Sequence, residues 1–298
     1  MISKIDNTTA IIVTYNSGKV IDRCLDGLIN IKKIIVDNSK DLNLKKHLKE
    51  KYKNITIIHP NHNIGFGSAN NLGISTAETK YILLLNPDII FNERQIDNLI
   101  KIFDLYENVG IVAPKVYDHN NQYLDNHCYS ALKKTKRSNN LNNIHNIIKK
   151  TEPNGNLCAD VVTGAIFLSK KEILNKIGLF DQNIFLYYED QDLCKRLRDK
   201  KYQIIECANS YAKHPNNDIN RSVILNNLTN FNQSKHHKYS EYYFKSKYSS
   251  KSILIFQSLI EFFEYFLRML LNFFLFKKNK IIINFARCIG ILKFIFKF

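Results

Sequence analysis

The run Tyr81 to Leu85, YILLL, closed by Asn86, Pro87 and Asp88, limits the folds open to this chain more than any other stretch. Five consecutive apolar residues are too few for a buried helix and are punctuated by a proline, so they read as a fully buried parallel strand. A strand that is apolar on both faces needs cover on both, which crossover helices supply. Asp88 then stands at the strand's C-terminal edge, where ligands bind in open α/β sheets.

The flanking sequence repeats the same unit. Ala10 to Thr14 (AIIVT) predicts a strand, and Lys19 to Asn30 a helix with Val20, Ile21, Cys24, Leu25 and Leu28 on one face. Lys33 to Asp37 and Ile55 to His59 predict further strands, separated by a lysine-rich helix over Leu42 to Tyr52. Ser68 to Ser75 is the next helix, entered through Gly65 and Gly67; Glu93 to Tyr106 follows the central strand, and Val109 to Ala113 is strand five. Alternation at this spacing means a mainly parallel sheet with helices on both faces.

Small polar groups stand at the strand exits: Thr14, Tyr15 and Asn16, then Asp37, Asn38 and Ser39, then Asn61 to Asn71. One such loop is ordinary turn chemistry. Four exits converging on one sheet edge fit a nucleotide's base, ribose and phosphates. The Gly65-Phe66-Gly67 pair lacks the third glycine of a dinucleotide fingerprint and the lysine of a P-loop, and reads as a place where backbone comes close to a ligand.

Beyond strand five the pattern dissolves. Lys115 to Asn156 is rich in Asn, Lys, His and Ser and predicts a surface excursion whose basic cluster is Lys133, Lys134, Lys136 and Arg137. Order returns with Asp160 to Leu168, a predicted strand in which Gly164, with Ala165 beside it, stands where a bulky side chain would obstruct something approaching the sheet. Asp192 to Lys200 reads as an amphipathic helix preceded by Glu189 and Asp190. Free N–H groups and the helix dipole stabilise a carboxylate there, and one so held ionised can also serve as a general base. His214 follows a strand over Gln203 to Ala208; paired in space with Asp88 it would make an oxygen-and-nitrogen site suited to Mn2+ or Mg2+, with diphosphate oxygens as further ligands.

Charge and cysteine usage bound the partners. The chain carries 43 Lys and Arg against 27 Asp and Glu, a net charge of +16, of which Lys235 to Phe298 supplies +9 with 12 basic and 3 acidic residues. The excess therefore belongs mainly to the tail, and no nucleic-acid motif accompanies it. The six cysteines form no CxxC pair and read as reduced, buried thiols. MISKIDNTTA has no apolar core of a signal peptide, so the expectation is a chain that starts in the cytoplasm.

The tail has its own pattern. From Ile253 to Phe276, Gln257, Glu261, Glu264, Arg268 and Asn272 recur every three or four residues, a narrow polar stripe on a helix otherwise made of Leu, Ile and Phe. Ionised groups at a bilayer centre cost about 2.5 to 3.5 kcal/mol each, so the helix is expected to lie in the membrane interface rather than span it. Lys277, Lys278 and Lys280 would meet anionic headgroups, and Ile281 to Phe298 repeats the arrangement. The competing arrangement packs both helices on the catalytic part or pairs them between protomers as a homo-oligomer.

The ordered set IIVTYNS, IIVDNSKD, NHNIGFGSANNLGI, YILLLNPD, TGAIFLSKKEILNKIGLFDQNIFLYYEDQDLCKRL and AKH resembles the inverting family-2 glycosyltransferases of GT-A fold, and most nearly their rhamnosyltransferase-like bacterial members, over roughly residues 8 to 215. The resemblance implies that Thr14, Tyr15, Asn16, Asp37, Asn38, Asn63, Gly65, Phe66 and Asn70 contact a dTDP- or UDP-linked sugar, with Asn86 and Asp88 standing where the family has its DxD metal motif. His214 matches a metal-binding histidine that some members add, and Asp190 matches the base of the ED motif, with Glu189 the next candidate. Asn86 departs from the motif and leaves Asp88 its only carboxylate, which weakens the expected metal dependence. The implied organisation is a catalytic domain over residues 1–234, with a nucleotide-sugar half at 1–114 and an acceptor half at 157–234, followed by a basic membrane-associating tail at 235–298. The implied enzyme works at the cytoplasmic face of the inner membrane on a lipid-linked or oligosaccharide acceptor. The competing function is an inactive nucleotide-sugar-binding subunit of a glycan-assembly complex, which would need Asp190 or Asp88 altered; both are intact.

Overall fold

The computed structural model describes residues 4–39, 41–124, 127–128, 152–215 and 227–297. The chain divides into two compact units, one of Met1–Asp181 with Asp190–Asn216, the other of Gln182–Glu189 with Asn217–Phe298.

In the first unit β1 (Thr8–Thr14), α1 (Ile21–Leu25), β2 (Lys32–Asp37), α2 (Leu42–Lys51), β3 (Ile55–Ile58), α3 (Phe66–Thr76) and β4 (Tyr81–Leu85) alternate as predicted. A 3-10 turn at Glu93–Gln95 leads into α4 (Ile96–Leu105) and β5 (Val109–Tyr117). The short strands β6 (Tyr123–Leu124), β7 (His127–Cys128), β8 (Leu157–Cys158) and β9 (Val161–Val162) precede β10 (Ile166–Lys170), α5 (Lys171–Ile177), α6 (Glu189–Asp199) and β11 (Gln203–Lys213).

Among the described residues the main sheet runs β3-β2-β1-β4-β10-β5-β11-β8, with β6 beside β5. Strands β1, β2, β3 and β4 are parallel, while β10 enters between β4 and β5 antiparallel to both. Because alternate side chains leave a strand on opposite faces, Ala10, Ile12, Leu83 and Leu85 join one core and Ile11, Val13, Ile82 and Leu84 the other. All five residues of β4 are buried.

Two elements depart from the periodicity for local polar reasons. Helix α1 stops at Leu25 instead of reaching Asn30, because the N–H groups that would continue it go elsewhere: Leu28 N donates to Leu25 O (2.9 Å), one residue short of the helical partner, and Asn30 N donates to the Glu93 carboxylate (2.9 Å). The predicted strand Asp160 to Leu168 is two strands. β9 pairs with β7, β10 pairs with β4, and the break at Thr163–Ala165 aims backbone groups into the site described below. The cluster Lys133, Lys134, Lys136 and Arg137 lies outside the described residues. Cys24, Cys194, Cys207 and Cys288 are buried and Cys158 exposed.

The second unit is built on α7 (Asn227–Ser246), α8 (Lys251–Phe274) and α9 (Lys278–Ile295). Helix α7 runs unbroken through residues 234 and 235, where the sequence reading divides catalytic part from tail. Its Tyr239 and Tyr242 pack with Leu254 of α8 and Ile291 and Phe294 of α9. The contact of α9 with α7 is closest at Gly290, where a Cβ would stand 2.4 Å from Lys235 O, so only glycine fits. Lys238 of α7 bridges Glu241 and Glu261 (2.8 and 2.7 Å), turning one member of the polar stripe inward.

Candidate functional site

The edge formed by the C-termini of β1, β2 and β4 collects most of the predicted residues. Asp37 closes the turn after β2: its carboxylate accepts from Thr14 Oγ1 (3.0 Å), Ser39 N (3.0 Å), Ser39 Oγ and Asp41 N (2.8 Å), with His59 Nδ1 3.4 Å away. These bonds hold its carboxyl below the ordinary range against the opposing effect of burial. Asp37 is thus a keystone of the pocket wall, with His59 as its neighbour, a contact no sequence signal marks. Asn38 ties the next loop in place, donating from Nδ2 to Gly65 O (3.2 Å). Asn63 Oδ1 accepts from Gly65 N (3.0 Å), and Gly65 opens α3 at φ 86°. Asn70 is buried and donates to Phe66 O (3.1 Å), whereas Tyr15 is 59% exposed and Asn16 sits at φ 54° in the exit of β1.

After β4 the chain turns sharply. Ile89 N donates to Asn86 O (3.1 Å), and Ile90 exchanges both backbone bonds with Lys213 at the end of β11 (2.8 and 2.9 Å). That stitch delivers His214 to Asp88, Nε2 to Oδ2 3.2 Å. The other oxygen, Asp88 Oδ1, is buried and has no partner among the described residues. An orphaned carboxylate oxygen beside an imidazole is a donor set that fits Mn2+ or Mg2+. No cluster of three or more His, Cys, Asp or Glu side chains that could hold a metal occurs among the described residues, so most of such an ion's positions would fall to water and ligand oxygens.

The same turn leads to the candidate base. Asn86 N donates to Ala165 O (2.8 Å), next to it Gly164 N donates to Asp190 Oδ2 (3.3 Å), and Gln191 N donates to Asp190 Oδ1 (2.7 Å). Asn86, Ala165, Gly164 and Asp190 therefore form a continuous path from the Asp88 turn. Gly164 packs under Phe66: a Cβ there would stand 3.3 Å from the ring and 4.0 Å from Asp190 Cβ. Asp190 keeps some exposed surface, but atoms crowd its carboxyl, and desolvation raises its pKa above the ordinary carboxylate value against three backbone hydrogen bonds. Glu189 is buried.

Two supports were not marked as site residues by the sequence. Asn71 exchanges bonds with the Phe180 backbone (2.8 and 2.9 Å), fixing the loop after α5 to α3. Arg196 donates to Asp192, Ile177 O and Leu179 O (2.8, 2.7 and 2.6 Å), clamping α6 to the end of α5. The i,i+4 spacing of Asp192 and Arg196 was the available signal. A cavity of about 800 Å³ lined by Phe103–Val109, Lys170 and Tyr202 opens at the opposite sheet edge, where β5 begins, and takes no part in this site.

Comparison with known proteins follows this geometry. The family model "Glycosyl transferase family 2" matches residues 9–177. Rhamnosyltransferase WbbL of Escherichia coli (strain K12) is 29% identical over 202 residues, 63% of this chain and 75% of that protein. The N-acetylglucosaminyl-diphospho-decaprenol L-rhamnosyltransferase of Mycobacterium tuberculosis is 21% identical over 223 residues, 64% of this chain and 70% of its own length. The mannosyltransferase PcManGT from Pyrobaculum calidifontis, solved with GDP-Man and Mn2+, shares the fold with a TM-score of 0.56 at 12% identity, over 98% of this chain and 87% of that one.

Proposed function

The chain belongs to glycosyl transferase family 2 and is a GT-A glycosyltransferase, and from that premise we propose that it is an inverting enzyme moving rhamnose from a nucleoside-diphosphate sugar to a lipid-linked bacterial surface-glycan acceptor. The observation that carries the reading is the Asp190 carboxylate, desolvated and bonded to Gly164 N at the end of the path from Asp88. The names of the two relatives above support rhamnose as the sugar, and that of the mycobacterial enzyme supports the lipid diphosphate.

A glycosyl donor of this kind loses its nucleoside diphosphate through an oxocarbenium-like transition state, so charge must be held on the leaving group while the attacking hydroxyl gives up a proton. Asp190 takes that proton, its raised pKa bringing it nearer the operating pH than an ordinary carboxylate. Gly164 N and Gln191 N orient the carboxylate. Thr14, Asp37, Asn38, Asn63, Gly65 and Asn70 shape the nucleotide wall, Tyr15, Asn16 and Phe66 face it, and the Gly164–Ala165 backbone, which lies under the Phe66 ring, borders the acceptor sugar. Asp88 and His214 would hold a divalent ion, which when bound would neutralise diphosphate oxygens. A single base and a single displacement invert the anomeric carbon, as no second positioned carboxylate serves as nucleophile in this reading.

The exposed apolar face of α8 supports a membrane address. Phe256, Ile260, Phe263, Leu267, Leu270 and Phe274 form one stripe on that helix, each at least 40% exposed. Among the described residues no helix is long and apolar enough to cross a membrane. The reading therefore puts the enzyme on the cytoplasmic face of the inner membrane, with α8 lying in the interface.

The direct test is chemical. With dTDP-rhamnose and a prenyl-diphosphate-N-acetylglucosamine acceptor, the expected product carries the anomeric configuration opposite to the donor's, read from one-bond C–H couplings by NMR. Retention of configuration overturns the mechanism, and the absence of any transferred sugar across a panel of nucleotide sugars overturns the function.

A further inference from the structure

The transfer reading leaves without a role a cavity that lies within the second unit. It measures about 220 Å³, far more than a single water requires, and is lined by Tyr187, Gln233, Ser234, His237 and Arg287. Gln233, Ser234 and His237 are neighbours on α7, and Arg287 reaches in from α9. The guanidinium lies over the ring of Tyr265, 5.0 Å from its centroid, which fixes the side chain without neutralising it.

Charge bookkeeping around the cavity favours an anion. Arg287 has no carboxylate partner among the described residues, because the acids nearby are already engaged: Glu241 with Lys238 and Lys245, and Glu261 with Lys238. The lining holds no Asp or Glu, and an amide, a hydroxyl and an imidazole add donors to the guanidinium fork. A planar, permanently charged fork among neutral donors suits the several oxygens of a phosphate ester.

The wall nearest the catalytic sequence is strained. Tyr187 and Tyr188 are consecutive non-glycine residues at φ 67° and 70°, a conformation that side chains rarely adopt and that persists where surrounding structure imposes it. Both rings lie 5.4 Å from that of His237, and Tyr188 also packs on Phe244 at 5.7 Å. Tyr187 stands three positions before Asp190 in the sequence.

We propose that this cavity is the subsite for the diphosphate of a lipid-linked acceptor, gripped by Arg287 with Gln233, Ser234 and His237. The assignment rests on the reading that the acceptor is lipid-linked, and it gives the second unit a part in substrate recognition distinct from its exposed apolar face. Arg287 contacts the part of the acceptor that does not react, so its loss weakens acceptor binding and leaves the donor side intact.

The test titrates farnesyl diphosphate, farnesol and inorganic pyrophosphate into the full-length protein with its nucleotide pocket saturated by dTDP. Farnesyl diphosphate is expected to bind, and to bind at least tenfold more weakly to Arg287→Gln and to Ser234→Asp, which places a repelling carboxylate in the cavity. Unchanged thermal midpoints and unchanged dTDP affinity show that both variants fold. Equal binding by wild type and both variants overturns the proposal, as does absence of binding by the wild type. Pyrophosphate binding as tightly as farnesyl diphosphate assigns the cavity to a free anion and overturns the acceptor role; an equal loss of binding to phosphatidylglycerol vesicles in Arg287→Gln assigns it to bulk headgroups and does the same. Sugar transfer with binding indifferent to Arg287 sinks this inference alone, while Arg287-dependent binding without transfer sinks the transfer reading, overturns the acceptor role with it and leaves the cavity a lipid-diphosphate site.

Discussion

A carboxylate that takes a proton from a sugar hydroxyl gains from a raised pKa, and that gain costs stability. Desolvation raises the Asp190 pKa above its ordinary value, so between the two values the native state binds the proton that the unfolded chain has released. Stability therefore falls as pH rises through that window, and the full cost stands above it. Asp190→Asn keeps an acceptor for Gly164 N while removing the charge. It is expected to lower turnover by about a hundredfold or more, with a thermal midpoint at pH 7.5 no lower than wild type and a difference that disappears below the ordinary carboxylate pKa. The acid limb of kcat/KM should lie above that ordinary value. Turnover within a few fold of wild type removes Asp190 from the role of base. The sequence marked this residue through its motif, but nothing in it foretold the bond from Gly164. Asp37 was legible as a polar residue at a strand exit, yet its bonds to Thr14, Ser39 and Asp41 depend on a turn that periodicity does not encode.

At the scale of elements, the parallel strands were read well and the end of α1 poorly, for a physical reason. A run such as YILLL is buried on both faces whatever its neighbours do, whereas α1 ends where the Glu93 carboxylate, from elsewhere in the chain, takes the N–H of Asn30. The antiparallel entry of β10 was equally invisible, since an apolar strand carries no mark of direction. The orientation of α6, which begins at the ED motif, depends on such a long-range contact. Asp192 is wholly buried and Arg196 bonds it together with two carbonyls at the end of α5. Arg196→Ala leaves that carboxylate without its cation and is expected to cost about 3 kcal/mol, seen as a lower midpoint in urea with an unchanged slope. Arg196→Lys should recover little, because an ammonium cannot serve three acceptors in a fork. Adding Asp192→Asn to the alanine variant should recover part of the loss, and a strictly additive double variant would show that the pair is not coupled.

At the scale of the whole molecule, the outer face of α8 is an apolar surface left uncovered among the described residues. The polar stripe in its sequence foretold an amphipathic helix but not which side would be covered: Glu261 turns to Lys238, Leu254 and Ser258 are buried, and the stripe of Phe256, Ile260, Phe263, Leu267, Leu270 and Phe274 faces outward. Those six residues repeat at coiled-coil spacing, but Ile253, Leu259, Phe266, Leu271 and Phe273 are exposed beside them, a band wider than a two-helix seam needs. Breadth of this kind, with Lys277, Lys278 and Lys280 at the end of the helix, suits a lipid surface carrying negative charge. Phe263 and Leu267 are 60% and 64% exposed and outside the helical core, so replacing both with Glu leaves packing intact. Each side chain withdrawn from the lipid forfeits about 1.5 to 3 kcal/mol, so partitioning of the double variant onto phosphatidylglycerol liposomes should fall at least about a hundredfold, with dTDP binding and thermal midpoint unchanged. Binding of the wild type should weaken with salt, since the lysine contribution is screened. A double variant that still sediments with liposomes refutes the membrane role of this face. A wild type that ignores liposomes but elutes as a dimer, and becomes monomeric with the two substitutions, assigns the face to a second copy of the chain.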